Sequence, residues 1–241
     1  MIAHISDPHL GREPIAGEQL EDAVGRILAL PQQPDAVLVS GDLVDHASAE
    51  EYAWVRAGLA PLPMPVHVLA GNHDDRALVR QVFGVPGVGD QPIRYAVRCG
   101  DLRLVACDTT IPGSDCGRVD VEWLAATLDE DRSTPTLLAL HHAPVAIGVP
   151  AIDASLPAPG ERAALAELLG RSPQVRRVVA GHVHRTAVTS LGGCSVLLLG
   201  STHVALHLDF AATDFDMRTE LPLIAVHRMV DGELISHIQP V

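Results

Sequence analysis

The chain has 241 residues, 47% of them apolar and 20% charged, which suits one large folded domain and excludes intrinsic disorder, collagen-like repeats and a coiled coil. A formal net charge of −13 repels nucleic acid, and an aromatic content of 3% argues against a stacking platform for single strands. The acidity reads either as solubility or as carboxylates that hold cations, and only position chooses between them.

In chain order, Met1–Ser6 reads as a strand, and Gly17–Leu30 as a helix from the spacing of Leu20, Val24, Ile27 and Leu28, stopped by Pro31. Ala36–Ser40 is a buried-strand run, and Ala47–Leu59 a helix with Ser48 as N-cap. Val66–Ala70 is a strand and Arg76–Phe83 a short helix, with Asp74 a candidate cap. Ile93–Cys99 and Leu102–Asp108, joined by Gly100 and Asp101, form a predicted hairpin. Val119–Asp131 is helical, Thr136–Leu140 a strand, Gly160–Leu169 a helix and Val175–Ala180 a strand. Between them, Ala143–Gly160 is a long loop rich in Pro and Gly, of the kind that is functional or mobile. The remainder is β-rich, with strands at Thr186–Ser190, Ser195–Leu199, Leu223–Arg228 and Leu234–Gln239. This pattern predicts an α/β sandwich of mixed sheets, residues 1–241 forming one domain whose segment from about 186 to 241 completes the sheets.

None of Cys99, Cys107, Cys116 and Cys194 forms a C-x-x-C pair, so small buried thiols in a reducing cytoplasm are expected. The opening MIAHISDPHL has neither a cationic segment nor a long apolar run, and apolar runs elsewhere are of strand length. No secretory leader, no membrane helix and a cytoplasmic location are therefore expected.

Five predicted strands end in metal-competent side chains: Asp7-Pro8-His9, Gly41-Asp42 with Asp45, Gly71-Asn72-His73-Asp74, His141-His142, and Gly181-His182-Val183-His184. The carboxyl ends of strands are where open α/β sheets place their sites. In an extended chain, residues i and i+2 point the same way, so Asp-x-His and His-x-His can each reach one ion. Gly41, Gly71 and Gly181 permit sharp turns and close approach. Imidazole and oxygen donors without thiolate favour iron, manganese, zinc or cobalt.

The series D-x-H, G-D-x-x-D, G-N-H-D, H-H-x-P and G-H-x-H, running from Asp7 to His184, resembles the calcineurin-like metallophosphoesterase superfamily. H-H-A-P and V-A-G-H-V-H are most similar to its bacterial class III cyclic-nucleotide phosphodiesterase branch, which includes glycerophosphodiesterases. The resemblance implies a four-layer αββα sandwich of two mixed sheets flanked by helices. It also implies a binuclear metal centre, with Asp7, His9, Asp42 and His184 on one ion and Asp42, Asn72, His141 and His182 on the other, bridged by Asp42 and a hydroxide. His142 is the alternative to His141, and Ala143 departs from the commoner H-H-P-P.

The implied reaction is hydrolysis of small phosphodiesters, 3′,5′-cyclic nucleotides or glycerophosphodiesters, by attack of a metal-activated hydroxide on phosphorus. His73 is then expected beside the substrate phosphate, as a contact or as the acid for the leaving oxygen, oriented by Asp45 or Asp74. Asn72 and His203 are further candidate substrate contacts, with His46 and His207 weaker ones and Arg12 and Arg185 beside the motifs. His4 and His67 fall inside strands and read as structural. A phosphomonoesterase, a pyrophosphatase and a non-catalytic scaffold on the same fold are the alternatives. A homo-oligomer acting on a small-molecule substrate, with neither nucleic acid nor membrane as partner, is expected.

Overall fold

Strand β1 (Ile2–Ile5) is buried on both faces, so it must be covered twice. Ala3 and Ile5 pack towards helices, whereas Ile2 faces a second sheet. The same alternation along every central strand sets the layers of this computed structural model, which describes residues 1–241.

Helix α1 (Ile15–Leu28) follows β1 and leads to β2 (Ala36–Val39); α2 (Ala49–Leu59) leads to β3 (Val66–Val68), and α3 (Arg76–Phe83) comes next. The hairpin is β4 (Arg94–Cys99) and β5 (Leu102–Cys107). Then come α4 (Val121–Glu130), β6 (Thr136–Ala139), the single-turn α5 (Pro150–Asp153), α6 (Pro159–Gly170) and β7 (Val175–Ala180). The chain finishes with β8 (Ala187–Leu191), β9 (Cys194–Leu198), β10 (Val204–Leu206), β11 (Met217–Thr219), β12 (Leu223–Val230) and β13 (Glu233–Pro240).

One sheet has the order β13-β12-β1-β2-β3, the other β4-β5-β6-β7-β9-β8, and β10 pairs with β11 alone. Both large sheets are mixed: β1, β2 and β3 run parallel, with β12 antiparallel to β1 and β13 antiparallel to β12, and β5, β6, β7 and β9 run parallel with β4 and β8 antiparallel. Ala3, Val37 and Val39 meet Leu20, Val24, Tyr52 and Val79 of α1–α3. Val105, Leu138 and Val178 meet Leu124, Leu128, Leu165 and Leu168 of α4 and α6. Between the sheets, Ile2, Leu38 and Ala225 meet Leu104, Leu137 and Leu197. The result is the expected αββα order.

Several boundaries move for local reasons. Pro14, with φ −56°, stands at the N-cap of α1, so that helix begins before Gly17. Ser48 caps α2 as expected, closing a reciprocal pair of hydrogen bonds with Glu51. The cap of α3 is Asp75, accepting from the Leu78 N–H, and not Asp74, which turns inward. Strands β10 and β11 were not predicted; three residues each are too few for an alternation to register. The 143–160 loop contains α5. No helix is long and apolar enough to cross a membrane.

Helix α3 is tied to the second sheet by a buried ion pair, in which Arg76 donates to both oxygens of Asp108 at 2.8 and 3.1 Å. Asp108 also accepts from the N–H groups of Ile93 and Thr110. Asp108→Ala would strand a guanidinium that is 10% exposed. It should cost about 3–5 kcal/mol, measured as the loss in unfolding free energy in urea.

Candidate metal centre

The carboxyl ends of β1, β2, β6 and β7 meet at one edge of the sandwich. There the backbone leaves the strands through left-handed residues: Asp7, His9, Asp42, His182 and His184 have φ of 52°, 43°, 46°, 64° and 54°. A left-handed non-glycine residue costs about 1–2 kcal/mol, and such strain gathers at functional sites. The D-x-H and H-x-H pairs are thus not extended, as the spacing argument assumed; each turns back on itself and still delivers both side chains to one centre. Close approach requires glycine at two places. A Cβ on Gly71 would overlap Asp42 Oδ1, and one on Gly181 would overlap Ser6 Oγ.

The ligating atoms of Asp7, His9, Asp42 and His184 lie within 4.8 Å of one another, all buried. His9 Nε2 is 3.1 Å from His184 Nε2 and 3.4 Å from Asp42 Oδ2. Next to them, Asn72 Oδ1 lies 3.1 Å from His141 Nε2 and 2.9 Å from His182 Nδ1, and His141 Nε2 is 3.5 Å from Asp42 Oδ1. Asp42 faces both groups, one oxygen to each.

The protons on these rings are placed by their outer partners. His141 Nδ1–H donates to the Ser40 carbonyl and His184 Nδ1–H to the Val204 carbonyl, both at 2.9 Å. His9 Nδ1–H donates to the Asp45 carboxylate at 3.1 Å. Ser155 gives its own proton to the Ile152 carbonyl, so its oxygen accepts from His182 Nε2–H at 2.7 Å. Every outer partner is an acceptor, and a neutral imidazole has one N–H. The four inner nitrogens therefore present lone pairs, and they face one another, the Asn72 oxygen and two carboxylates. Opposed lone pairs at about 3 Å need a cation between them, and outer hydrogen bonds of this kind orient metal-binding histidines. The donor set thus fits the binuclear group that the sequence implies.

Without metal the carboxylates draw protons instead. Burial depresses His9, but hydrogen bonds to Asp42 and Asp45 overcome it and raise it to about 10. Burial likewise opposes charge on His141, and Asp42 lifts it to about 9. Asp42 is held well below the usual carboxylate range: burial opposes this, and the His141 and His9 charges outweigh it. Burial takes His184 down to about 4.

His142 is engaged elsewhere, although it lies near His141 and His182. Its Nε2–H donates to the Asp115 carbonyl and its Nδ1 accepts from Thr109 Oγ1. Asp74 does not orient His73. It accepts from the N–H groups of Gly71 and Leu43 and from the Tyr52 hydroxyl, and burial, then the Asp42 charge, raises it to about 7. His73 instead donates Nδ1–H to the Asp45 carbonyl at 2.9 Å, with its backbone N–H on Asp42 Oδ1. The Asp45 side chain sits under the site, against His9, Arg12 and His46, and its hydrogen bond from His9 holds it down at about 2.

A cavity of about 160 Å³ opens over the two groups. Arg12, His73 and Asp115 form its polar wall, and Ile152, Phe215 and Met217 its apolar wall. His203 is buried, its Nδ1 2.6 Å from Gln19 Oε1 and its Nε2 without a partner. His203, His46, His207 and Arg185 do not line the cavity; Arg185 donates to the Leu206 carbonyl and His46 pairs with Glu51. Sequence reasoning missed Asp115, whose carboxylate takes the Asn72 amide N–H at 3.4 Å, and Ser155. Neither belongs to a motif; the only signal was that Ser155 lies in the long loop.

Residues 1–186 match the family described as calcineurin-like phosphoesterase. The chain belongs to that family. It is 30% identical over 255 residues to glycerophosphodiester phosphodiesterase GpdQ of Enterobacter lignolyticus, covering 98% of this chain and 90% of that one. It is 30% identical over 216 residues to a probable cyclic nucleotide phosphodiesterase of Rhodococcus erythropolis, covering 83% and 70%. Yellow lupin purple acid phosphatase PPD1 shares the fold, with a TM-score of 0.76 at 15% identity over 99% of this chain and about half of its own (51%).

Gly71→Ala should weaken Mn²⁺ binding by about tenfold in a calorimetric titration, the range seen when a ligand's support is disturbed. Its far-UV circular dichroism should be unchanged, because the added Cβ meets Asp42 alone, at its carboxylate and its backbone nitrogen, in a turn outside the helices and strands.

Proposed function

We propose that this chain is a binuclear metal-dependent phosphodiesterase acting on small diesters, with cyclic nucleotides and glycerophosphodiesters as the candidate substrates. The observation that carries the reading is the ring of inner nitrogen lone pairs turned on Asn72 Oδ1, Asp7 and Asp42. Asp7, His9, Asp42 and His184 would hold one ion, and Asp42, Asn72, His141 and His182 the other. Iron, manganese, zinc and cobalt suit these donors. When bound, the ion pair supplies Lewis acidity towards the phosphoryl oxygens and a water acidic enough to be a nucleophile near neutral pH.

The chain's own groups do the rest. Arg12 and His73 bring positive charge and an N–H to the cavity wall where phosphate charge develops. With Nδ1–H committed to the Asp45 carbonyl, His73 meets the leaving oxygen with Nε2; it serves as the acid in its imidazolium form, giving up the Nε2 proton and leaving a neutral ring that keeps Nδ1–H. Asp45 acts through His9 and His73 and is a positioning residue. Ile152, Phe215 and Met217 would pack the organic part of the diester and exclude water from it. Relatives named for both substrate classes support the diester reading, 3′,5′-cyclic adenosine monophosphate phosphodiesterase CpdA of Pseudomonas aeruginosa among them.

Residues 1–241 work as one unit in this reading, since β12 and β13 complete the sheet that carries Asp7. The four unpaired cysteines, three of them buried and Cys116 exposed where a buried thiol was expected, support a reducing, cytoplasmic setting. Exposed Phe210, Phe215 and Leu221 between β10 and β12 support self-association.

A panel of 3′,5′-cAMP, glycerophosphocholine, an aryl diester, an aryl monoester and a pyrophosphate, assayed with Mn²⁺-loaded enzyme, should give the highest kcat/KM on a diester. No turnover of any ester with two ions bound would overturn the reading. His73→Ala should lower kcat by about 10²–10⁴-fold while retaining both ions.

A further inference from the structure

His4 and His227 are fully buried titratable groups with no part in the chemistry above. They lie between the two sheets, in the layer that Ile2, Leu38, Ala225 and Leu234 fill with hydrocarbon. Ser6 and Ser40 continue the same faces of β1 and β2, and Ser236 the same face of β13. Arg177 reaches them from β7 of the opposite sheet. Polar groups in such a layer cost free energy unless they are hydrogen-bonded, and each of these residues is, with Arg177 Nε alone left without a partner.

The links form one unbroken file. Ser6 Oγ is 2.5 Å from Asp7 Oδ2 and 2.6 Å from Ser40 Oγ. Ser40 Oγ is 2.8 Å from His4 Nε2, and His4 Nδ1 is 3.3 Å from His227 Nε2. His227 Nδ1 is 2.5 Å from Ser236 Oγ, which receives Arg177 Nη1–H.

The direction of every proton follows from the two ends. A carboxylate only accepts, so Ser6 donates to Asp7. Ser6 has then spent its proton and accepts from Ser40, which in turn accepts from His4 Nε2–H. A neutral ring with its proton on Nε2 has a lone pair on Nδ1, so His4 accepts from His227 Nε2–H. His227 Nδ1 then accepts from Ser236, and Ser236 accepts from Arg177, which can only donate. The assignment begun at the carboxylate arrives at the guanidinium without a conflict.

We propose that Ser6, Ser40, His4, His227 and Ser236 are a positioning network: a one-directional file of hydrogen bonds from Arg177 that fixes the Asp7 carboxylate in its metal-facing orientation. With Oδ2 pinned by Ser6, Oδ1 takes the His182 N–H at 2.9 Å and is the oxygen turned to His184 Nε2, 3.7 Å away. Successive bonds of one polarity strengthen one another, so a break far along the file is felt at Asp7. Both rings must be neutral for the file to exist, since a second proton would set donor against donor. Burial meets this condition: it takes His4 down to about 3 and His227 well below the ordinary histidine range. The proposal rests on the reading that Asp7 holds a metal ion.

Two measurements test it. Long-range ¹⁵N–¹H correlation spectra of the metal-free protein should show His4 and His227 both neutral with the proton on Nε2. An Nδ1–H tautomer or a cation at either ring overturns the file. Calorimetric titration with Mn²⁺ should then show weaker binding at one of the two sites, by about tenfold in Ser6→Ala and Ser40→Ala. At the distant Ser236→Ala the fall should be about twofold or more, as bond cooperativity requires. Ser40→Thr and Ser236→Thr, which keep the hydroxyl, should restore wild-type affinity. If the alanine variants lose melting temperature but bind both ions as tightly as wild type, the file is a structural filling only and the proposal fails. Asp7→Ala separates the two readings: it should lose the same ion, and wild-type binding there would refute the metal reading itself.

Discussion

Two carboxylates, Asp7 and Asp42, are buried where two sheets meet, and four imidazoles turn their lone pairs towards them. Uncompensated negative charge in such a place is untenable, because each buried anion must be paired or bound to a cation. The rest of the arrangement serves this demand. Strained left-handed turns deliver the side chains, and glycines at 71 and 181 clear room for the carboxylates. Four outer acceptors, Asp45, Ser40, Ser155 and Val204, decide which nitrogen of each ring looks inward. The site is held together by its neighbours and by the charge it requires.

Strand alternation explains how such a site coexists with an apolar core. In β1, odd and even residues serve different layers: Ala3 and Ile5 meet helices, while Ile2, His4 and Ser6 face the other sheet. The face that carries His4 and Ser6 therefore runs up to Asp7. A hydrophobic layer at one end grades into a polar one at the other, and the hydrogen-bonded file from Arg177 is the transition between them. Backbone pairing supports this path, since His227 stands opposite both Ile2 and Ser236 in register.

Above the carboxylates the cavity divides its labour. Arg12, His73 and Asp115 make one wall polar, and Ile152, Phe215 and Met217 make the other apolar. The polar wall comes from the loops after β1 and β3, next to the metal motifs, and from Asp115 in the loop after β5. The apolar wall comes from α5 and the β10–β11 segment, which carry none of those motifs. The polar and the apolar linings of the cavity thus come from separate stretches of chain.

The sequence by itself determined the layer order, most of the elements and the residues that crowd the site. Strand alternation and helix spacing are local signals, and seven side chains at five strand ends are a pattern that chance does not produce. Helix α3 and strand β7 were legible to the residue, because Gly84 stops one and Gly181 follows the other. What the tertiary structure alone decided was orientation. His141 and His142 are adjacent and chemically identical in sequence; only the positions of Ser40 and Thr109, brought from distant strands, turn one inward and anchor the other. The same holds for Asp74 and Asp75, for Asp115 under Asn72, and for His4 and His227, which are 223 residues apart and meet through a shared sheet. A hydrogen bond depends on distance and direction between groups, and the order of residues along the chain carries neither until the sheets have packed.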